Sequence, residues 1–182
     1  MKYVYILDTS ALLSVQQVVT SFIENNSPVD KIFLTTSDII TEFKDQISKL
    51  RIESMLSSKE LLIKDADIDS VNFINERCKE IGNFERLSYQ DRSILSLAWQ
   101  ENKMKDTEKI TLISDDYEIL NTAKILKIPF KPVKTKGIKF TATFKKICAA
   151  CGEILLENDN YCPECGSTKI LRKRTKVFSK RQ

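Results

Sequence analysis

Residues 3–7, Tyr3-Val4-Tyr5-Ile6-Leu7, form an unbroken apolar and aromatic run that stops at Asp8 and gives way to Thr9, Ser10 and a helical pattern. A strand without polar alternation belongs in a parallel sheet covered on both faces. Ligand sites in such sheets lie beyond the carboxyl ends of the strands. Asp8 therefore stands where an α/β domain places its chemistry. The pattern recurs at Ile110-Thr111-Leu112-Ile113-Ser114, which runs straight into Asp115-Asp116. Shorter apolar runs at 32–35 and 61–63 predict two more strands, and 129–133 a last one at an edge. Helical spacing fills the gaps. One helix runs to about Asn25, and a second, capped at Ser37-Asp38, carries Ile39, Ile40, Phe43, Ile47 and Leu50. Others cover 67–81, where Cys78 packs as a small hydrophobe, then 87–99 and 117–126. Strands alternating with helices predict an α/β fold, an α/β/α sandwich with a central parallel sheet.

Composition narrows the chemistry. The chain contains no histidine, which excludes Ser-His-Asp and Cys-His nucleophiles and imidazole bases. Catalysis must use carboxylates, hydroxyls, amines or a metal. Charge is divided unevenly: residues 1–133 hold 17 Lys/Arg against 21 Asp/Glu, a net of −4, and residues 134–182 hold 12 against 4, a net of +8. An acidic body with a basic end section suggests a polyanion gripped by one part and processed by the other; a solvated basic tail is the plainer alternative. No apolar run approaches the roughly 20 residues that span a bilayer, and the first strand flows directly into Asp8 with no charged, apolar, small-residue cleavage pattern. A cytoplasmic location is expected.

Four acids sit where strands end or helices begin: Asp8, Glu42, Asp91 and Asp115. Carboxylates packed together repel unless protonated or neutralised, and oxygen-only clusters favour hard ions such as Mg²⁺ or Mn²⁺. Such an ion can polarise a phosphodiester and lower the pKa of attacking water. Each acid also has a purely structural reading. Ser88 and Asp91 fit a capping box, Asp115 with Glu118 fits another, Asp8 can cap its helix, and Glu42 can face solvent.

Taken together, Leu7-Asp8-Thr9-Ser10-Ala11, Thr41-Glu42, Leu87-Ser88-Tyr89-Gln90-Asp91 and Leu112-Ile113-Ser114-Asp115-Asp116-Tyr117 resemble the four acidic motifs of PIN-domain ribonucleases over residues 1–133. The resemblance implies a Mg²⁺ or Mn²⁺ site, with Asp8, Glu42, Asp91 and Asp115 as ligands and catalytic residues and Asp116 as an additional ligand. It makes Thr9 or Ser10 a supporting hydroxyl. Ser114 stands where many members have threonine.

The remaining cysteines form a second unit. Cys148-Ala149-Ala150-Cys151-Gly152 and Cys162-Pro163-Glu164-Cys165-Gly166 are separated by ten residues. Two C-x-x-C knuckles flanking a hairpin-sized loop give four thiolates at the spacing of a structural Zn²⁺ site. Disulfides in a reducing compartment, or an iron–sulfur centre, are the lesser alternatives. The expected organisation is a catalytic domain over 1–133, a basic linker over 134–146, a zinc ribbon over 147–171 and a basic tail over 172–182. A PIN-like domain followed by such a ribbon resembles the NIN-one-binding (Nob) family, archaeal type. That resemblance implies endoribonucleolytic cleavage of single-stranded precursor rRNA, forming the 3′ end of the small-subunit RNA within a pre-ribosomal particle. Lys134, Lys136, Lys139, Lys145, Lys146, Arg172, Lys173, Arg174 and Lys176 are the candidate RNA contacts. Phe140 and Phe144 either stack bases or pack the ribbon against the first domain. Two other readings stay open: a toxin-type PIN ribonuclease acting on tRNA or mRNA, and a non-catalytic RNA-binding assembly factor.

Overall fold

The computed structural model of the chain describes residues 2–14, 31–104, 108–134 and 140–179. The apolar runs become β1 (Lys2–Leu7), β2 (Lys31–Thr35), β3 (Leu61–Ile63), β4 (Glu108–Ile113) and β5 (Phe130–Lys131). All pair in parallel, in the order β3-β2-β1-β4-β5. β1 is central, and Val4, Ile6 and Leu7 on it are buried together with Leu112 and Ile113 on β4. The chain leaves β1 toward β2 on one side and later reaches β4 on the other. That reversal of strand order opens a crevice at the carboxyl ends of β1 and β4.

Helices α1 (Thr9–Leu13), α2 (Ser37–Thr41), α3 (Gln46–Ser57), α4 (Ile68–Glu80), α5 (Tyr89–Lys103) and α6 (Tyr117–Ile125) make the connections. α5 packs on α2, α4, α6, β1 and β4, and Ile94, Leu95, Leu97 and Ala98 along it are wholly buried. At roughly 1.5–3 kcal/mol for each fully buried aliphatic side chain, this core is the main favourable contribution to folding of the first module. Cys78 lies in it as a hydrophobe, its thiol pushed up to about 12 by burial.

Three expectations change. The helix expected across Ser37 to Leu50 is two helices. Thr36, not Ser37, caps α2 by accepting the Ile39 amide, and the Asp45 carboxylate accepts the Ser48 amide at 2.8 Å to start α3. A short acid that binds its own backbone competes with helix continuation. Ile47 and Leu50, which continue the helical spacing of Ile39, Ile40 and Phe43, are 75% and 60% exposed. The helix expected to run to Asn25 falls, from residue 15 onward, outside the described residues.

The third change concerns the basic segments. The described residues read as a linker and a tail, Lys134 apart, lie in strands: β6 (Phe140–Cys148) and β8 (Ile170–Ser179) pair antiparallel, and β7 (Ile154–Leu155) lies on the other side of β6. The ribbon therefore extends well beyond its metal end. It is docked onto the first module by backbone-directed bonds. The Phe144 amide donates to Ile81 O at 2.9 Å, and Asn121 both accepts the Ala142 amide at 2.8 Å and donates to Ala142 O at 3.0 Å. No helix among the described residues is long and apolar enough to cross a membrane.

Candidate functional site

The carboxyl end of β1 carries the site. The Asp8 amide still donates to Ile113 O at 3.3 Å, so the β1–β4 ladder runs one residue past the strand and fixes Asp8 beside Ser114. Asp8 is 3% exposed. Its Oδ1 accepts the Ala11 amide at 2.8 Å and the Ser10 hydroxyl at 2.9 Å, and its Oδ2 accepts the Ser114 hydroxyl. It is therefore the cap of α1, one of the structural readings of this acid, while also facing the crevice. Burial pushes its carboxyl up to about 6 despite the pull of the Ser114, Ala11 and Ser10 hydrogen bonds, and the negative charge of Asp116 adds to the rise. The three donors therefore offset only part of what burial costs the charged form.

Hydroxyls link this acid to its neighbours. Ser10 Oγ, which donates to Asp8, accepts the Asp115 amide at 3.0 Å. Ser114 Oγ, the other donor, accepts the Asp116 amide at 3.0 Å. Thr9 Oγ1 donates to Glu42 Oε2, tying the end of α2 to the start of α1. The supporting roles expected of Thr9 and Ser10 thus have bonded partners. Ser114 belongs with them, a residue the sequence marked only as a departure; a hydroxyl immediately before the double aspartate is the feature that points to it.

The other acids are held differently. Asp115 accepts the amides of Val133 and Lys134 at 3.0 and 3.1 Å through Oδ1, with a second contact from Lys134 to Oδ2 at 3.1 Å. The helix cap expected of Asp115 belongs to Asp116, whose Oδ1 accepts the Glu118 and Ile119 amides at 2.7 and 3.1 Å. Asp91 closes a capping box with Ser88, accepting its amide at 2.8 Å. Among the described residues no hydrogen bond joins Asp91 to the Asp8 network, and the acids do not draw together as closely as the cysteines do.

Those four cysteines offer sulfurs within 4.8 Å of one another, with Cys148–Cys165 and Cys151–Cys162 each 3.5 Å apart. Tetrahedral bonding at about 2.3 Å to zinc places sulfurs about 3.8 Å apart, so the set fits that ion. Gly152 and Gly166 follow the knuckles at φ +80° and +71°, a left-handed turn that glycine adopts without cost. The turn lets their amides return to Cys148 O and Cys162 O at 3.0 and 2.8 Å. Hydrogen bonds, first from the Cys151 amide, hold the Cys148 thiol down, while contacts among the sulfurs push Cys151 and Cys165 up, so without an ion the four share one favoured thiolate.

The basic candidates divide. Lys134, Lys145, Lys173 and Arg174 are exposed. Lys146 and Arg172 are instead engaged at the docking interface. Lys146 pairs with Glu85 at 2.6 Å and donates to Glu157 O. Arg172 lies 4.0 Å over the Phe144 ring and donates to Gly82 O and, at 2.9 Å, to Asn83 Oδ1. The Phe144 ring is thus covered by Arg172 of the neighbouring ribbon strand, while its backbone amide makes the contact to the first module. Lys136 and Lys139, with the side chains of Phe140 and Lys176, lie outside the described residues.

With this geometry in hand, comparison with known proteins places the chain. The family model described as the PIN domain of ribonuclease matches residues 5–100. The chain is 31% identical over 157 residues to Endoribonuclease Nob1 of Methanothermobacter thermautotrophicus, an alignment spanning 85% of this chain and 90% of that protein. It is 30% identical over 143 residues to Endoribonuclease Nob1 of Pyrococcus abyssi, spanning 77% of this chain and 84% of that one. Among solved structures, VapBC-1 from nontypeable Haemophilus influenzae superposes with a TM-score of 0.51 at 12% identity, covering 72% of this chain and 99% of the other, a likeness of fold alone. The family match takes in the end of β1, Asp8, Glu42 and Asp91, and the relatives extend it through most of the chain: this protein belongs to the PIN-domain ribonucleases, in the Nob1 endoribonuclease family.

Proposed function

We propose that the protein is a metal-dependent endoribonuclease that hydrolyses single-stranded precursor small-subunit rRNA to form its mature 3′ end, within a pre-ribosomal particle in the cytoplasm. The observation that carries the nuclease reading is Asp8, buried at the central strand's carboxyl end and joined through the Ser10 and Ser114 hydroxyls to the backbone of Asp115 and Asp116. In this reading residues 1–133 form the catalytic domain. Asp8, Glu42, Asp91 and Asp115 hold one or two Mg²⁺ or Mn²⁺, with Asp116 as an additional ligand. A divalent ion there supplies charge neutralisation for the phosphodiester and makes water a better nucleophile at neutral pH. The chain's own part is to fix the carboxylates. Ser10 and Ser114 keep both Asp8 oxygens directed, and Thr9 orients Glu42.

The cysteine set holds a structural Zn²⁺ with no open position for water. The exposed Lys134, Lys145, Lys173 and Arg174, together with Lys136, Lys139 and Lys176, contact phosphates, which makes binding fall steeply with salt. The Nob1 relatives support the endoribonuclease reading, and precursor rRNA is the substrate that the family resemblance of the PIN-like domain and its ribbon implies. The test is a labelled precursor rRNA fragment incubated with Mn²⁺ or Mg²⁺, with the new 3′ ends sequenced. The wild-type chain should cut at one position, and Asp8→Asn should lose cleavage by at least about 100-fold, the scale of a lost electrostatic stabiliser, with RNA binding retained. Undiminished cleavage by that variant would sink the scheme.

A further inference from the structure

Tyrosines open both helices that carry the later acidic motifs. Tyr89 is the first residue of α5, two before Asp91, and Tyr117 is the first of α6, directly after Asp116. They are 58% and 43% exposed. Neither belongs to the core, and among the described residues neither ring meets another ring or a cation, and neither hydroxyl has a hydrogen-bond partner. A single exposed ring needs no explanation; here two flank one acidic crevice. The backbone beneath each is fixed. Ser88 and Asp91 close their capping box around Tyr89, and Arg92 Nη1 secures the approach by donating to Phe84 O at 3.3 Å and to Leu87 O. Around Tyr117, Asp116 accepts the Glu118 and Ile119 amides while its own amide is held by Ser114 Oγ, the hydroxyl that donates to Asp8.

The sheet sets where the two rings stand relative to Asp8. Thr36, just past β2, meets Ser93 of α5 hydroxyl to hydroxyl at 2.9 Å, so Tyr89 lies at the carboxyl end of β2, bordering a cavity with Thr36 and Asp38. Tyr117 follows β4. β2 and β4 pair on opposite sides of β1, whose end carries Asp8, so the tyrosines bracket that acid. Helical side chains slope toward the N-terminus of their helix. A first-turn ring therefore reaches out past the helix end, over the sheet edge where the crevice opens. Every nucleobase offers a π face, and unpaired bases can be splayed onto an aromatic ring. We propose that Tyr89 and Tyr117 each stack one unpaired base of the RNA, on opposite sides of the phosphodiester held at the acids, an inference that rests on the ribonuclease reading. Bases anchored on both flanks draw the strand across the crevice. The two rings are thus substrate-positioning residues that favour single strands without selecting a sequence.

The experiment uses the full zinc-loaded chain without Mg²⁺ or Mn²⁺, so that binding is read without cleavage. The probes are an unstructured RNA strand of mixed sequence and the same backbone built from abasic residues. The wild-type chain should prefer the strand that has bases. Tyr89→Ala and Tyr117→Ala should each weaken that strand by about fivefold or more, the loss of one stacked base, and leave the abasic backbone unaffected. The slope of log affinity against log salt should not change, because no phosphate contact is lost. Tyr89→Phe and Tyr117→Phe should bind as the wild type does, since the ring face and not the hydroxyl makes the contact. A wild-type chain without preference for bases, alanine variants that bind normally, phenylalanine variants as weak as alanine, or equal losses on both probes overturn the proposal. Cleavage in Mn²⁺ separates the two readings. A chain that cuts RNA while its tyrosines prove dispensable refutes only the stacking. One whose tyrosines stack bases yet which cuts no RNA refutes the ribonuclease reading instead.

Discussion

Asp8 must carry charge where charge is disfavoured. Its ordinary carboxyl value is 3.8 and burial takes it to about 6, so between those values the folded chain holds a proton that the unfolded chain has released. Stability from this group therefore falls as pH rises from about 4 to about 6 and stays low above that window. At about 1.4 kcal/mol per pKa unit, the metal-free protein at neutral pH is destabilised by up to about 3 kcal/mol. Asparagine mimics the protonated form. Asp8→Asn should accordingly raise the melting temperature at pH 7.5 in buffer free of Mg²⁺ and Mn²⁺, and the gain should vanish near pH 4. Thermal unfolding at the two pH values checks both signs. Adding Mn²⁺ at pH 7.5 should stabilise the wild-type chain and leave the variant unmoved.

Among the elements, the segment joining α4 to α5 and strand β6 meet most closely at Gly82. That residue has φ +67°, and a Cβ there would lie 2.2 Å from Phe144 O. Gly82→Ala should cost about 1–3 kcal/mol from its left-handed backbone alone, and more by prising β6 away. Faster hydrogen exchange at the Phe144 amide, which donates to Ile81 O, would report that separation. The elements themselves were unequally legible. β1, β4, α4 and α5 could be read directly because their apolar periodicity is local and their burial matches it. The break between α2 and α3 was hidden, since Phe43, Ile47 and Leu50 continue a helical spacing while Asp45 captures the chain. β6 and β8 were masked by their lysines and arginines: the ladder depends on a partner about thirty residues away, a tertiary condition that composition does not carry. At the acidic site, the positions were readable from strand ends, but which carboxylate binds which amide was not. Neither the Asp116 cap nor the Asp115 contacts to 133 and 134 leave a spacing rule.

At the scale of the whole molecule, two modules differ in what holds them together. The first has a continuous aliphatic core, whereas the ribbon's buried cluster is Cys148, Leu155 and Cys162 with Ile170 against it. So little area cannot offset chain entropy, and structural zinc in small modules supplies on the order of 10–16 kcal/mol. Chelation should therefore melt the ribbon in a separate early calorimetric transition while the β1–β5 sheet persists, and re-addition of Zn²⁺ should restore a single docked unit. One transition unaffected by chelator would contradict this. The contacts of Asp115 bear on the same architecture. Its carboxylate fastens the very amides, 133 and 134, at which the chain departs for the ribbon, so the anionic pole of the crevice and the hinge post of the second module are one object. An insertion or deletion near residue 133 would thus reach the acidic crevice without altering a single acidic side chain.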